Sequence, residues 1–349
     1  MKKKEINSTE IAKLAGVSRS TVSRVVNDYP NVPEKTREKI KKLIQQYNYY
    51  PNLSAQVLAG KRTRTIGLFL IDSGQVSTDM ISNLLIARVI ETASLFGYYV
   101  LTHIIRDTTD EEAVHSVIES FYQKRIDGGV FIGAANEEPF LEQLIAEGFI
   151  VAVMDQDVSG PGHNETNRII INFDNESGAN QAIDYLVSLN HKRIGSINGD
   201  MKRYSGPEKL QGFINAMNKH HLPLVDRWMI PGEFNEASGY KAINQLVKVN
   251  GSDLPTAILA ANDSVAFGAI RALNEHGLRV PEDISIIGFD DHALSSRYKP
   301  ALTTVHVDFS DLMHKLTSAL IDRIEKDTKV FNKLIVGSKL IVRDSCRQI

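Results

Sequence analysis

The feature that most restricts what this chain can fold into is a change of hydrophobic period near residue 62. Before it, apolar residues recur three and four apart with no strand pattern; after Thr65, short apolar runs alternate with amphipathic stretches. The runs are Thr65–Ile71, Tyr98–Ile104, Gly129–Ile132, Ile150–Met154, Arg168–Phe173, Arg193–Ile197, Thr256–Ala260 and Ile284–Phe289. Between them, Met80–Phe96 sets Ile81, Leu84, Leu85, Val89 and Phe96 on one helical face, and Ala179–Leu189 and Asp311–Glu325 read as further helices. Alternation of this kind builds doubly wound parallel sheets, so the larger part is expected to be α/β. The runs outnumber the strands of one comfortable open sheet, and the turn-rich Ser159-Gly160-Pro161-Gly162 marks a division into two lobes with a cleft. Ligands of such sheets bind beyond the carboxyl ends of the strands, which selects Asp155, Asn262-Asp263 and Asp290-Asp291.

Charge separates the same two parts. Residues 1–62 hold thirteen Lys and Arg against five Asp and Glu, net +8, and the remainder holds 27 against 37, net -10, although the whole chain carries only -2. A localised positive end is what a polyanion such as nucleic acid meets. In that end Asn7 is placed to cap a helix with Glu10 reaching back, giving helix one over about Thr9–Ala15. Gly16 supplies a left-handed turn and Ser18 caps a second helix to about Val26. Ala12, Val22 and Val25 face inward, and a third helix, Glu34–Tyr47, adds Ile40, Leu43, Ile44 and Tyr47 to the core. The second helix then turns Arg19, Ser20, Ser23 and Arg24 outward, a set suited to base edges and phosphates, so an all-helical helix-turn-helix headpiece is expected. Lys39, Lys41 and Lys42 read as a solvated surface.

The run Glu10-Ile-Ala-Lys-Leu-Ala-Gly-Val-Ser-Arg-Ser-Thr-Val-Ser-Arg-Val-Val-Asn27, with Asn48-Tyr49-Tyr50-Pro51-Asn52 and Leu58-Ala59-Gly60-Lys61, closely resembles the lactose-repressor (LacI/GalR) family of bacterial regulators. The resemblance continues through Ala261-Asn262-Asp263, Gly277-Leu278-Arg279-Val280-Pro281, Gly288-Phe289-Asp290-Asp291 and Leu302-Thr303-Thr304, essentially the whole chain. It implies a recognition helix in the major groove, with Arg19, Ser20 and Arg24 reading bases and Ser18, Thr21, Ser23 and Asn27 holding phosphates or register. It also implies a hinge helix over Asn52–Ala59, with DNA contacts from Asn52, Ala55 and Leu58 and with Leu58 as a minor-groove wedge.

For the rest, the resemblance implies a two-lobed core like that of periplasmic binding proteins, joined by three crossovers. The domains expected are residues 1–50 (headpiece), 51–62 (hinge and linker) and 63–349 (effector binding and dimerisation). Lobe one would span 64–161 plus 292–324, and lobe two 162–291 plus 325–349. Carried over by position, the effector contacts are Ser73, Asp155, Phe173, Lys209, Phe234, Asn262 and Asp290, suited to hydroxyls and to stacking on a ring face. Lys209 departs from the family, whose arginine there is a bidentate fork; an ammonium is a point donor. The expected protein is a repressor that binds a pseudo-palindromic double-stranded DNA operator as a homodimer, through helix Met80–Phe96 and the helix after Asn262-Asp263. Its effector is expected to be a carbohydrate or related metabolite. No leucine-heptad tail follows Leu340-Ile341-Val342-Arg343-Asp344, which favours a dimer over a tetramer.

Two rivals share parts of this pattern. A solute-binding protein of a transport system has the same core, but Met-Lys-Lys-Lys runs into polar residues without an apolar signal segment, no stretch is apolar enough for a membrane, and the basic headpiece has no place there. An enzyme is disfavoured because no nucleophile elbow, phosphate loop or His-Glu-x-x-His occurs, and His220-His221 falls at a helix end. No cofactor or metal is expected. The single Cys346 cannot form an internal disulfide, and a cytoplasmic location is expected.

Overall fold

The computed structural model describes residues 6–50, 57, 60–71, 74, 76–157, 166–251, 253–326 and 333–349. It divides into two compact units, Met1–Thr63 and Arg64–Ile349. The predicted lobe-dividing turn at 159–162 lies outside the described residues, as do Asn52, Ala55, Leu58 and Ser73.

The headpiece contains α1 (Ser8–Ala15), α2 (Arg19–Val26) and α3 (Glu34–Gln46). The side chain of Asn7 accepts from the Thr9 and Glu10 amides at 3.0 and 3.1 Å, and Glu10 accepts from the Asn7 amide at 3.0 Å, the reciprocal capping box expected. Gly16 ends α1 at φ 72°, where a side chain would be strained, and the Ser18 hydroxyl accepts from the Thr21 amide at 3.2 Å to begin α2. Ile11, Ala12, Ala15, Val22, Val25, Val32 and Ile40 make the core. Tyr47 was expected in it but is 42 % exposed: α3 ends at Gln46, the chain turns at Asn48 (φ 49°), and Tyr49 packs instead.

In the larger unit the first sheet has the order β11-β5-β4-β3-β1-β2: β1 (Thr65–Ile71), β2 (Tyr99–Ile105), β3 (Gly129–Ile132), β4 (Val151–Met154), β5 (Arg168–Phe173) and β11 (Lys333–Val336). Every pairing in it is parallel. Its faces are covered by α4 (Met80–Leu95) and α11 (Phe309–Lys326) on one side, and by α5 (Glu111–Tyr122) and α6 (Pro139–Ala146) on the other, where Phe69, Phe121 and Phe131 stack. Burial on both faces accounts for the unbroken apolar runs of β3 and β4.

The second sheet runs β12-β10-β9-β8-β6-β7: β6 (Ile194–Ile197), β7 (Met229–Ile230), β8 (Ala257–Ala260), β9 (Ser285–Asp290), β10 (Thr303–His306) and β12 (Lys339–Ile341). Only the β10–β12 pairing among the described residues is antiparallel. Its helices are α7 (Asn175–Ser188), α8 (Ser205–Lys219), α9 (Glu236–Asn250) and α10 (Asp263–Glu275). The last two pack so closely that a Cβ at Gly268 would stand 1.9 Å from the Glu236 carbonyl.

The chain crosses between sheets three times, as expected, but at other places. Arg168–Phe173 pairs with β4 and stays in lobe one, so the first crossover follows Phe173 and not the 159–162 turn. Residues 303–306 pair with β9 and belong to lobe two, where 292–324 was expected in lobe one; the chain returns only with α11. Strand β11 lies in lobe one and β12 in lobe two. The first break was misplaced because a turn-rich loop and a lobe boundary share the same composition. Among the described residues no helix is long and apolar enough to cross a membrane.

Candidate functional site

On the headpiece, burial of Val22 and Val25 leaves Ser18, Arg19, Ser20, Ser23 and Arg24 exposed along one side of α2, with Thr21 and Asn27 half-buried beside them. Local bonds order the stripe. The Ser18 hydroxyl lies 2.7 Å from that of Ser20 and 2.9 Å from that of Thr21, Arg19 donates to the Ser8 hydroxyl at 3.1 Å, and Asn27 donates to the Ser23 hydroxyl at 3.3 Å. Arg37 ties α3 to the loop after α2 by donating to the Tyr29 carbonyl at 2.5 Å. The result is a short helix with hydroxyls and two guanidinium groups on an exposed face, the donors that phosphates and guanine edges accept.

The cleft residues lie at the carboxyl ends of strands, as the fold requires. Asp155 follows β4, Phe173 ends β5 and Asp290 ends β9; Asn262 follows β8 at the start of α10, Lys209 sits in the first turns of α8, and Phe234 precedes α9. Asp155 and Asp290 have φ of 67° and 101°, positions that cost a side-chain-bearing residue roughly 1–3 kcal/mol and concentrate at functional sites.

Lys209 is the centre of the group. Its Nζ donates to the Ala261 carbonyl at 2.7 Å, stands 3.9 Å from Asp290 Oδ1, and lies 4.0, 5.3 and 5.4 Å from the ring centres of Phe289, Phe234 and Phe173. Phe173 comes from the first lobe and the other two rings from the second. Burial lowers the Lys209 pKa, against the pull of Asp290 and Asp155; burial raises that of Asp290, against the pull of Lys209. Asp290 Oδ1 is buried with no hydrogen-bond partner among the described residues.

The other predicted contacts divide. Asp155 accepts from the Ser205 amide and hydroxyl, both at 2.8 Å, and pairs with Arg203 at 3.1 Å, so its oxygens are committed to loop 200–205 of the opposite lobe. Asn262 caps α10 through the Val265 amide and donates to the Phe234 carbonyl at 3.0 Å, a structural commitment of both ends of its amide. Phe289, Ala261 and Ser205 were missed from the sequence. Phe289 sits in an apolar strand whose alternation gives no sign of which ring meets a cation, and the other two act through tertiary proximity.

Behind the cleft, Asp263 is fully buried and accepts from the His292 amide at 2.7 Å and from the Ser295 and Thr304 hydroxyls, both at 2.5 Å. Burial pushes its pKa up to about 7. No group of three or more His, Cys, Asp or Glu among the described residues could hold a metal ion.

Residues 9–52 match the family of bacterial regulatory proteins, lacI family, and residues 183–346 match a periplasmic binding protein-like domain. The HTH-type transcriptional repressor PurR of Haemophilus influenzae (strain ATCC 51907 / DSM 11121 / KW20 / Rd) is 34 % identical over 346 residues, 97 % of this chain and 98 % of that protein. The lac repressor dimer bound to operator and the anti-inducer ONPF aligns at TM-score 0.79 and 28 % identity over 99 % of this chain and 100 % of that one. The transcriptional regulator CelR in complex with cellobiose aligns at 0.74 and 26 % identity over 97 % and 99 %. A helix-turn-helix unit joined to a two-lobed ligand-binding core defines a DNA-binding transcriptional repressor under effector control. The chain belongs to the LacI family of bacterial regulatory proteins.

Proposed function

We propose that this repressor acts in the cytoplasm as a homodimer on a pseudo-palindromic operator and that a carbohydrate in the cleft controls its affinity. The observation that carries the reading is the exposed stripe Ser18–Arg24 on α2, seated by Val22 and Val25. Arg19, Ser20 and Arg24 read bases and the flanking hydroxyls hold phosphates; Asn52, Ala55 and Leu58 contact DNA, Leu58 in the minor groove. Two-fold pairing is supported by apolar side chains left exposed on α4 and the edge strand β2, including Leu84, Leu95 (79 % exposed) and Tyr99 (77 %). The helix expected as a second contact, α10, is buried along most of its length against its own lobe and offers only Arg271, Asn274 and Glu275.

In the cleft, Lys209 and Asp290 present a donor and an unpartnered acceptor beside phenyl faces, the equipment for a hydroxyl-rich ring. The cellobiose complex of CelR favours a sugar over other metabolites. The experiment is selection of binding sites from random duplexes by wild type and by Arg24→Ala. The variant is expected to lose discrimination at one position of each half-site, worth about 1–3 kcal/mol, with non-specific binding little changed. An unchanged selected sequence would remove Arg24 from the base-reading set, and half-sites without two-fold symmetry would overturn the dimer.

A further inference from the structure

We propose that Lys209 is a carbonyl-capture site, whose amine condenses with the aldehyde carbon of a small carbonyl compound such as the open-chain form of an aldose. The proposal rests on the cleft being the effector site and adds a covalent step to it. Four observations carry it.

The side chain is nearly fully enclosed, with three phenyl ring centres within 5.4 Å of its nitrogen, and it borders a small cavity, about one water in volume, together with Ser196, Asn198, Gly199 and Ala261, so its packing is not complete on that side. An ammonium carries three N–H donors, and the only hydrogen bond this one makes among the described residues is to Ala261. Arg203, whose guanidinium lies over the same Phe234 ring at 5.2 Å, adds a second cation nearby. A lysine desolvated among apolar groups and next to another cation is the setting in which an amine becomes a nucleophile. Finally, Asp290 stands 3.9 Å away with Oδ1 unpartnered. Burial moves the two groups in opposite directions, the amine down and the carboxyl up, which raises the share of neutral amine beside neutral acid relative to an exposed pair.

The chemistry balances without an oxidant or reductant. The neutral Nζ attacks the carbonyl carbon, a C–N bond forms, and the nitrogen passes a proton to the oxygen to give a carbinolamine. The Asp290 carboxyl protonates the departing hydroxyl, the C–O bond breaks, and water leaves. The resulting iminium keeps its N–H against the Asp290 carboxylate. A fixed donor–acceptor pair thus holds one aldehyde carbon, while the phenyl rings cover the adjoining carbons.

The test uses the full-length protein with glycolaldehyde and sodium cyanoborohydride, followed by peptide mass mapping. Lys209 is expected to carry the reduced adduct ahead of the exposed Lys39, Lys41 and Lys42, because burial lowers its pKa and supplies more free amine. Labelling of Lys209 no faster than of those surface residues overturns the proposal. Asp290→Asn, checked for folding by its melting curve, is expected to slow labelling at Lys209 alone; an equal rate removes Asp290 from the step. An unlabelled Lys209 in a protein whose melting rises with sugar alcohols sinks carbonyl capture and leaves the carbohydrate effector standing. Labelled Lys209 in a protein that no sugar stabilises does the reverse.

Discussion

In the headpiece, every described candidate contact residue sits on or beside the eight-residue helix α2, and the residues that place it are its chain neighbours: Gly16 and Ser18 before it, Val22 and Val25 within it. In the cleft, the ammonium of Lys209 is placed by Phe173, Phe234, Ala261, Phe289 and Asp290, which are spread over 118 positions of sequence. The first arrangement puts polar groups on a surface where water already satisfies them. The second encloses charges and leaves one carboxylate oxygen unpartnered, a cost a ligand can relieve. Local order is cheap to encode and supported by few contacts, whereas the buried arrangement needs a whole core to hold it.

The largest effect is expected where the smaller unit is cut. Ile40 is fully buried in a headpiece core of seven buried apolar residues among those described, so Ile40→Ala removes about 2–5 kcal/mol, comparable to the whole stability of a unit of this size. Specific and non-specific DNA binding should both disappear while the melting of the core, followed separately by calorimetry, stays where it was. If the core midpoint falls with it, the two units fold as one and the contrast between them is lost.

A second experiment tests whether buried charge distinguishes the core. The folded pKa of Asp263, about 7, is above its ordinary value of 3.8. Its contribution to stability is therefore complete below about pH 4 and is lost as pH rises through 7, because the unfolded chain releases the proton first; the span is on the order of 4 kcal/mol. Asp263→Asn cannot ionise, so wild type should lead it by most near pH 4 and by several degrees less at pH 8. The variant keeps one acceptor where Asp263 serves three donors, so it will be less stable throughout, and the pH trend of the gap is the readout. A gap that does not move between pH 4 and 8 would show that the Asp263 carboxyl ionises in the core as it does in the unfolded chain.

This contrast also explains what was legible in the sequence. The capping box of Asn7 and Glu10, the left-handed Gly16 and the inward Val22 and Val25 are rules of nearest neighbours and were read correctly from them. The parallel sheets announced themselves through continuous apolar runs, but β10 did not, because its Thr303-Thr304 start is polar though buried, nor did β11, β12 and the two-residue β7, which are too short or too exposed to leave a pattern. In the cleft, position after a strand selected Asp155, Asn262-Asp263 and Asp290-Asp291 as ligand candidates, and Asp155, Asn262 and Asp290 do stand at the carboxyl ends of strands. It could not show that Asp155 is satisfied by Arg203 and Ser205 across the lobes, or that Asn262 caps α10, since both depend on partners brought by tertiary packing.

The smallest effect is the most direct comparison of the two units. Asn7 caps α1 in the headpiece, and Asp110 caps α5 in the core by accepting from the Glu112 and Ala113 amides at 3.0 and 3.3 Å. Replacing either by Ala removes an exposed cap worth about 1 kcal/mol. The same free energy moves a melting midpoint in inverse proportion to the unfolding entropy, which grows with the size of the cooperative unit. Asn7→Ala should therefore lower the headpiece midpoint by about 4–8 °C, and Asp110→Ala should lower that of the core by about 2 °C or less. Operator affinity should change little in Asn7→Ala at 25 °C, provided the headpiece remains mostly folded there, and fall steeply only on warming. Equal midpoint shifts in the two variants would mean that α5 unfolds locally ahead of its lobe, so that the core is itself assembled from small units and its size confers no such protection.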